Sequence, residues 1–292
     1  MTVKIITDSC CDLPLDYVLK HQDALQVLGM PIQIETEEII DDLGQSYSHA
    51  EFYSKLRNGI LPTTSQINVH RFTDAFKSSL EAGAHIIYIG FSAALSGTYN
   101  SALLAKSLVL EDYPDAQLHV IDTKSASIGL GVLVIEAVKM AESGATADAI
   151  ERFIIDNHLN AQHWFGVDDL FFLKKGGRIN TATAAVGTVL NVKLTLIVDQ
   201  AGYLKPYGTV RGRKKSLNFL ISKLEEHYEE NRTNVVLVGH GNAIDDALRM
   251  SDTIRSTYPN LEIIISELSM TIASHVGPGM VAIAFLGKGR EL

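Results

Sequence analysis

The sequence predicts an α/β protein. Its N-terminal domain holds a mostly parallel sheet covered by helices, and its C-terminal α/β domain holds a mixed sheet. Three observations lead there. Short β-branched runs alternate with helical segments through the first half, the pattern of parallel strands joined by crossover helices. Several of those runs end in small or polar residues. In the second half, two consecutive strands flank Gly202 with no helix between them, which requires antiparallel pairing. The change of character near residue 159 divides the chain into an N-terminal domain, 1–158, and a C-terminal domain, 159–292.

Bulk composition narrows the function. A chain of 292 residues, 46% hydrophobic, suits about two domains with a sizeable core. A net charge of -9 disfavours a nucleic-acid surface, which needs phosphate-neutralising cations. There is no run of about 18 apolar residues, so no integral membrane segment is expected. The opening residues read as a strand rather than the apolar centre of a signal peptide. Cys10 and Cys11 are adjacent. That arrangement suits neither a structural disulfide nor more than half a metal site, and indicates a reducing, cytoplasmic setting.

The elements follow in order. Residues 3–7 form a strand, and Asp8 to Asp12 lie at its carboxyl end, where open α/β sheets face their ligand crevice. Asp8 there either meets a ligand or caps the next turn. Residues 25–34 predict a strand with a Gly-Met-Pro break. Helices follow over 48–56 and 69–80. Between them runs Leu61-Pro62-Thr63-Thr64-Ser65-Gln66, a turn preset by proline and followed by three hydroxyls and an amide.

Residues 86–102, IIYIGFSAALSGTYNSA, read as a buried strand, a turn of small residues and a helix. Ser96 occupies the expected N-cap, with Gly97 and Thr98 next. A helix start offers unpaired N–H groups and the positive end of its dipole. The stretch is therefore either an ordinary capped helix or a site for one small anionic group such as a carboxylate.

A strand over 118–123 leads through Ser125 to Gly131 into a helix over 132–142. Gly129-Leu130-Gly131 has Val134 where a dinucleotide fingerprint has its third glycine, which excludes a Rossmann cofactor site. Gly144 ends that helix and Thr146 starts the next, 147–157. Residues 164–167 form a strand, and Asp168-Asp169-Leu170 opens a helix. In Lys174-Lys175-Gly176-Gly177-Arg178-Ile179, two glycines permit close backbone approach and Arg178 offers a planar fork of donors. It is not a P-loop. Strands over 194–199 and 203–210 form the hairpin. Arg211, Arg213, Lys214 and Lys215 make a basic cluster, either a solvated helix start or a docking surface for an acidic partner or a phosphate. A helix over 215–229, a strand over 234–239, a helix over 243–256 and a strand over 262–267 complete the alternation. Ser274-His275-Val276-Gly277-Pro278-Gly279 then places His275 on an expected tight turn before the apolar run 280–286. A histidine there bonds an anion or a carbonyl.

Taken together, TDS at Thr7 to Ser9, TSQ at Thr64 to Gln66, LSGTY at Leu95 to Tyr99, DTKSASIGLG from Asp122, KKGGRI at Lys174 to Ile179 and SHVGPG at Ser274 to Gly279 resemble the DegV family of bacterial fatty-acid-binding proteins. The six motifs occur in order along nearly the whole chain. The resemblance implies a long-chain fatty acid held between the two domains. It implies that the hydroxyls of Thr64 and Ser96, at the helix start with Gly97, hold the carboxylate, with Arg178 and His275 near the head group. The tail would run in an apolar tunnel largely within the N-terminal domain. Some members serve as the FakB subunit of a fatty acid kinase and present the acyl carboxyl to a separate ATP-dependent subunit. By that analogy Arg211, Arg213 and Lys214 would dock the kinase. The resemblance implies no catalytic residue, no metal and no cofactor beyond the bound fatty acid. The sequence departs from the family pattern after TSQ, where Ile67-Asn68 stands in place of a frequent proline, and at Ala93, Ala94 and Met280, which bear on tunnel shape.

A lipid ligand is physically reasonable. Each buried methylene contributes about 0.8 kcal/mol, so a tail of roughly 14 supplies on the order of 11 kcal/mol before ordering costs. The polar site then fixes orientation. Two other functions compete. A serine hydrolase or acyltransferase would use Ser96 as nucleophile, His275 as base and Asp8 or Asp122 to orient it, but no G-x-S-x-G elbow surrounds Ser96. A dihydroxyacetone-type kinase subunit would bind small polyols instead.

Overall fold

The computed structural model describes residues 2–168, 170–179 and 192–290; Asp169, at the expected opening of a helix, lies outside them. A parallel sheet runs in the order Leu25–Leu28, Val3–Asp8, His85–Gly90, Leu118–Asp122. The strand Val3–Asp8 is buried at every position but Lys4, as a sheet covered on both faces requires. A six-stranded mixed sheet runs in the order Leu204–Arg211, Val192–Val198, Ala161–Val167, Val281–Leu286, Val235–His240, Glu262–Glu267. Only its last pair is parallel. The hairpin forms as expected: Gly202 has φ +88°, and Asp199 Oδ1 accepts from the N–H groups of Ala201 and Tyr203, both at 2.9 Å.

The strand expected over 25–34 is instead two strands in different sheets. Leu25–Leu28 belongs to the parallel sheet, whereas Pro31–Ile34 begins a third, antiparallel sheet with Glu37–Ile40 and Thr63–Thr64. The chain passes through Gly29 hard against the backbone of Asp41, where a Cβ would lie 2.5 Å from the Asp41 carbonyl oxygen. Apolar alternation continues across that passage, so periodicity does not register the change of sheet. The small sheet and the helix His49–Arg57 form their own apolar cluster, closed by Met270 and Ala273 of the helix Met270–Val276.

The helix Ile128–Glu142 starts four residues earlier than the sequence suggests and lies between the two larger sheets. Nearly every residue from Ile128 to Val138 is buried, as befits a helix that is apolar all round. Its glycines allow contact on both sides. A Cβ on Gly131 would sit 2.6 Å from the Cys11 carbonyl oxygen, and one on Gly129 would sit 2.1 Å from His163 Nε2. One continuous apolar core therefore joins the N-terminal sheet to the inner face of the mixed sheet.

A buried cation reinforces the joint. The Arg290 guanidinium donates to the carbonyl oxygens of Ala161, Lys124, Asp199 and His158 and to Ser125 Oγ. Burial lowers it to about 10, against the opposing charge of Asp199. Carbonyl dipoles from both halves of the chain thus replace its hydration. Among the described residues no helix is long and apolar enough to cross a membrane.

Candidate functional site

A cavity lies where the carboxyl ends of the first strands, the small sheet and the mixed sheet converge. Counted together with its solvent-open mouth, it encloses about 800 Å³ of atom-free space. Its walls are mainly apolar: Met30, Phe91, Leu95 and Ile128 from the first half, and Phe165, Leu173, Val198, Leu204, Ile272 and Met280 from the second. The tunnel expected largely within the N-terminal domain is thus walled by both halves. The reason is the position of the helix Ile128–Glu142, whose first turn alone faces the cavity while the rest fills the space between the sheets.

The polar residues gather together. Thr64, Ser65, Gln66, Ser96, Arg178 and His275 all line the cavity. Thr64 ends the short strand Thr63–Thr64, whose edge is fixed by Ser65 N–H on the Pro31 carbonyl at 3.0 Å. Beyond it, Gln66 Nε2 donates to Ser101 Oγ at 2.9 Å, and Ile67 N–H reaches Thr98 Oγ1 at 3.4 Å. The TSQ loop is therefore fastened to the first turns of the helix Thr98–Asp112.

Ser96 serves the helix start from one place earlier than expected. Gly97 is the N-cap residue, with no side-chain cap, and Ser96 stands one place earlier. Its Oγ accepts from Thr98 N–H at 3.2 Å and shares a hydrogen bond with Thr98 Oγ1 at 2.9 Å. Local spacing alone does not separate these adjacent positions. Gly97 is not among the lining residues; its lack of a side chain admits Gln66, whose Oε1 would lie 2.0 Å from a Cβ there.

His275 sits in the last turn of the helix Met270–Val276, not on the expected turn, which begins with Gly277 at φ +73°. Thr64 Oγ1 lies 2.9 Å from His275 Nε2. Burial, and then the charge of Arg178, lowers His275 to about 4, so its imidazole is neutral at pH 7. Arg178 donates through Nε to the Leu95 carbonyl at 3.2 Å and through Nη1 to the Gly176 carbonyl at 2.6 Å. A guanidinium has five N–H donors, so this anchoring leaves others for an anion. Sequence reasoning read Gly176 as one of two glycines permitting close approach but missed its neighbour: a Cβ on it would lie 2.3 Å from His275 Nδ1. The helix carrying His275 is itself fixed by two buried acids that sequence reasoning also missed in this role. Asp12 Oδ1 accepts from Ser269 N–H at 2.9 Å, and Asp41 Oδ2 accepts from Thr271 N–H at 2.9 Å.

The other candidate acids are engaged elsewhere. Asp8 is wholly buried and accepts from Tyr88 Oη, Phe91 N–H and Cys10 N–H; burial outweighs these bonds and raises its carboxyl above the ordinary range. Asp122 Oδ1 accepts from the N–H groups of Ala93 and Lys124. Neither carboxylate bonds His275, whose charged neighbour is Arg178. Among the described residues no acid is therefore placed to orient His275 as a general base. Cys10 and Cys11 are buried free thiols, raised well above their ordinary range by burial. One cluster among the described residues has metal-like spacing, His119 with Asp148 and Glu151, and none of its members lines the cavity.

The basic cluster is divided. Arg213 Nε pairs with Asp246 at 2.8 Å and Nη1 with Asp168 at 3.4 Å, whereas Arg211 and Lys214 are exposed with no ion pair among the described residues.

Comparison with known proteins gives consistent matches. A family model described as "Uncharacterised protein, DegV family" matches residues 2–288. A DegV domain-containing protein of Clostridium perfringens is 40% identical over 287 residues, covering 98% of each chain. A solved DegV lipid-binding protein of Thermotoga maritima superposes with a TM-score of 0.85 at 30% identity, covering 100% of both chains. A stearic-acid-binding protein of Eubacterium ventriosum superposes with a TM-score of 0.84 at 29% identity, covering 97% of each.

Proposed function

Because this chain belongs to the DegV family, we propose that it binds one long-chain fatty acid and presents its carboxylate to an ATP-dependent kinase subunit that forms the acyl phosphate. The observation that carries the reading is the junction of a hydroxyl, imidazole and guanidinium cluster with a largely apolar cavity. In this reading Thr64 and Ser96 donate to the carboxylate, and Arg178 supplies the compensating charge that a half-buried anion needs. Thr64 can turn its hydroxyl proton toward the ligand because neutral His275 Nε2 is able to donate in its place. The Thermotoga maritima protein binds lipid and the Eubacterium ventriosum protein binds stearic acid. The same ligand class suits this cavity.

Catalysis is assigned to the partner. Ser96 and His275 line one cavity, but among the described residues no carboxylate bonds His275. The role is a carrier's: solvate the acid group, shield the tail, and leave the carboxyl facing the mouth. The domain division at residues 158 and 159 belongs to the same proposal, with the ligand gripped between the two parts.

Titrating delipidated protein with palmitate tests the binding. One molecule should bind per chain, and small polyols should not compete. Adding an ATP-dependent fatty acid kinase subunit and ATP should then yield acyl phosphate only in the presence of this chain. Absence of palmitate uptake would overturn the binding function, and absence of acyl phosphate alone would overturn the kinase role.

A further inference from the structure

Phosphorylating a bound carboxylate joins one of its oxygens to the γ-phosphorus of ATP and releases ADP. The negative charge then moves outward onto the phosphoryl group and rises to about two. The cavity has one cation to meet it. Among the described lining residues only Arg178 is positive at pH 7, because burial and a neighbouring arginine lower both His275 and His163 below the ordinary histidine range.

Arg178 walls a second space as well. A cleft on the outside of the molecule shares Leu95, Arg178 and Leu204 with the cavity. Its other walls include Gly177, Tyr203 and Lys205, all exposed to solvent. The guanidinium, fixed by the Leu95 and Gly176 carbonyls, therefore stands where cavity and cleft adjoin. Lys205 lies on the strand Leu204–Arg211, and its side chain is 54% exposed. Its Nζ is 3.0 Å from Asp199 Oδ2. Asp199 is the one acid among the described lining residues of the cleft. It is buried, and its carboxylate also accepts from the N–H groups of Ala201 and Tyr203. Asp199 thus holds the ammonium by one of its three donors and leaves the others for a ligand in the cleft.

We propose that this cleft is a phosphoryl subsite, in which Arg178 and Lys205 together receive the phosphoryl group of the acyl phosphate while the tail stays in the cavity. The subsite rests on the reading of this chain as the carrier for a fatty acid kinase. A planar guanidinium and an ammonium are both suited to phosphoryl oxygens, the first as a fork of donors and the second as a point charge. Tail burial is the same for the acid and for its acyl phosphate. Any difference in affinity between the two therefore arises at the head group, and Lys205 affects only the phosphorylated form. Because Lys205 is exposed, its attraction is screened by salt, whereas burial of the tail is not.

The test compares palmitate with the stable analogue of palmitoyl phosphate in which a methylene replaces the bridging oxygen. Calorimetry on delipidated protein at low salt should show Lys205→Ala binding the phosphonate about tenfold more weakly than wild type, as for loss of a bond to a charged group. Palmitate affinity should stay within about twofold, and Lys205→Arg should keep most of the phosphonate affinity. Added salt should weaken phosphonate binding to wild type more than to Lys205→Ala. Equal phosphonate affinity in wild type and Lys205→Ala overturns the subsite. So does parallel weakening of both ligands, which would mark Lys205 as support for the cavity wall. Wild-type protein that takes up palmitate but not the phosphonate overturns it too. Failure to bind palmitate refutes the fatty-acid reading instead. The binding measurement needs no kinase, so a failed kinase assay leaves its outcome standing.

Discussion

Thr64 Oγ1 and His275 Nε2 meet at 2.9 Å although 211 residues separate them in the chain. Thr64 comes from the small three-stranded sheet and His275 from the helix that leads into the mixed sheet. Both line the cavity, so each half of the molecule contributes to the group proposed to receive the carboxylate.

Removing either hydroxyl should weaken fatty acid binding without unfolding the protein. Thr64→Ala and Ser96→Ala are each expected to cost about 1–3 kcal/mol in palmitate affinity, the worth of a hydrogen bond to a charged group. Calorimetry gives the affinity and thermal denaturation the fold. Wild-type affinity in both variants would remove these residues from the head-group site.

Gly176→Ala should act through His275. Gly176 has φ -75°, so alanine fits the backbone, but its Cβ would lie 2.3 Å from His275 Nδ1 and 3.3 Å from the Phe172 carbonyl oxygen. The imidazole must rotate or shift, separating it from Thr64. About tenfold weaker palmitate binding is expected, comparable to losing one hydrogen bond. Retained affinity would show that the imidazole position is immaterial.

The pH dependence of stability carries a signature of the same histidine. Burial lowers His275 from 6.5 to about 4. Between those values the unfolded chain binds a proton that the folded chain does not, so stability rises with pH. The contribution is complete above about pH 6.5 and lost as the pH falls toward 4, on the order of 3 kcal/mol. His240, lowered to about 4 by burial, acts in the same direction, whereas Asp12, raised to about 7 by burial, acts in the opposite one. Comparing urea unfolding of wild type and His275→Gln isolates the His275 contribution. The wild type should lose more stability than the variant between pH 7 and 4; equal losses would contradict a buried neutral imidazole.

The basic cluster yields a prediction that separates its members. Charge reversal at exposed Arg211 and Lys214 should slow kinase-dependent phosphorylation and spare palmitate binding. Arg213→Glu should also lower the melting temperature, because it places a carboxylate beside Asp168 and Asp246. Unchanged phosphorylation in Arg211→Glu/Lys214→Glu would remove the docking role.

The alternation of strands and helices was legible because covered strands and amphipathic helices impose their own periods on a sequence. The hydroxyls at Thr64 and Ser96, Arg178 and His275 were legible as motifs with a resemblance to a family. Partners were less so. Nothing local pairs Thr64 with His275, or assigns Asp12 and Asp41 to the helix start that carries His275. Gly129 and Gly131 were readable as an incomplete nucleotide fingerprint, but their use against His163 and Cys11 depends on two sheets brought together by the fold. The break between Leu28 and Pro31 was visible as Gly-Met-Pro, while the transfer to another sheet depends on pairing with Glu37–Ile40 and Thr63–Thr64. Arg290 occurs near the end of the chain among polar residues, where sequence gives no sign of its burial.

The central claim is that this cavity holds a fatty acid by its carboxylate. Organic extraction of the purified protein followed by mass spectrometry, with Arg178→Ala/Ser96→Ala prepared in parallel, tests it most directly. The account predicts close to one long-chain fatty acid per wild-type chain and far less in the double variant. No fatty acid in the wild-type extract, together with no uptake of added palmitate or oleate, would contradict it.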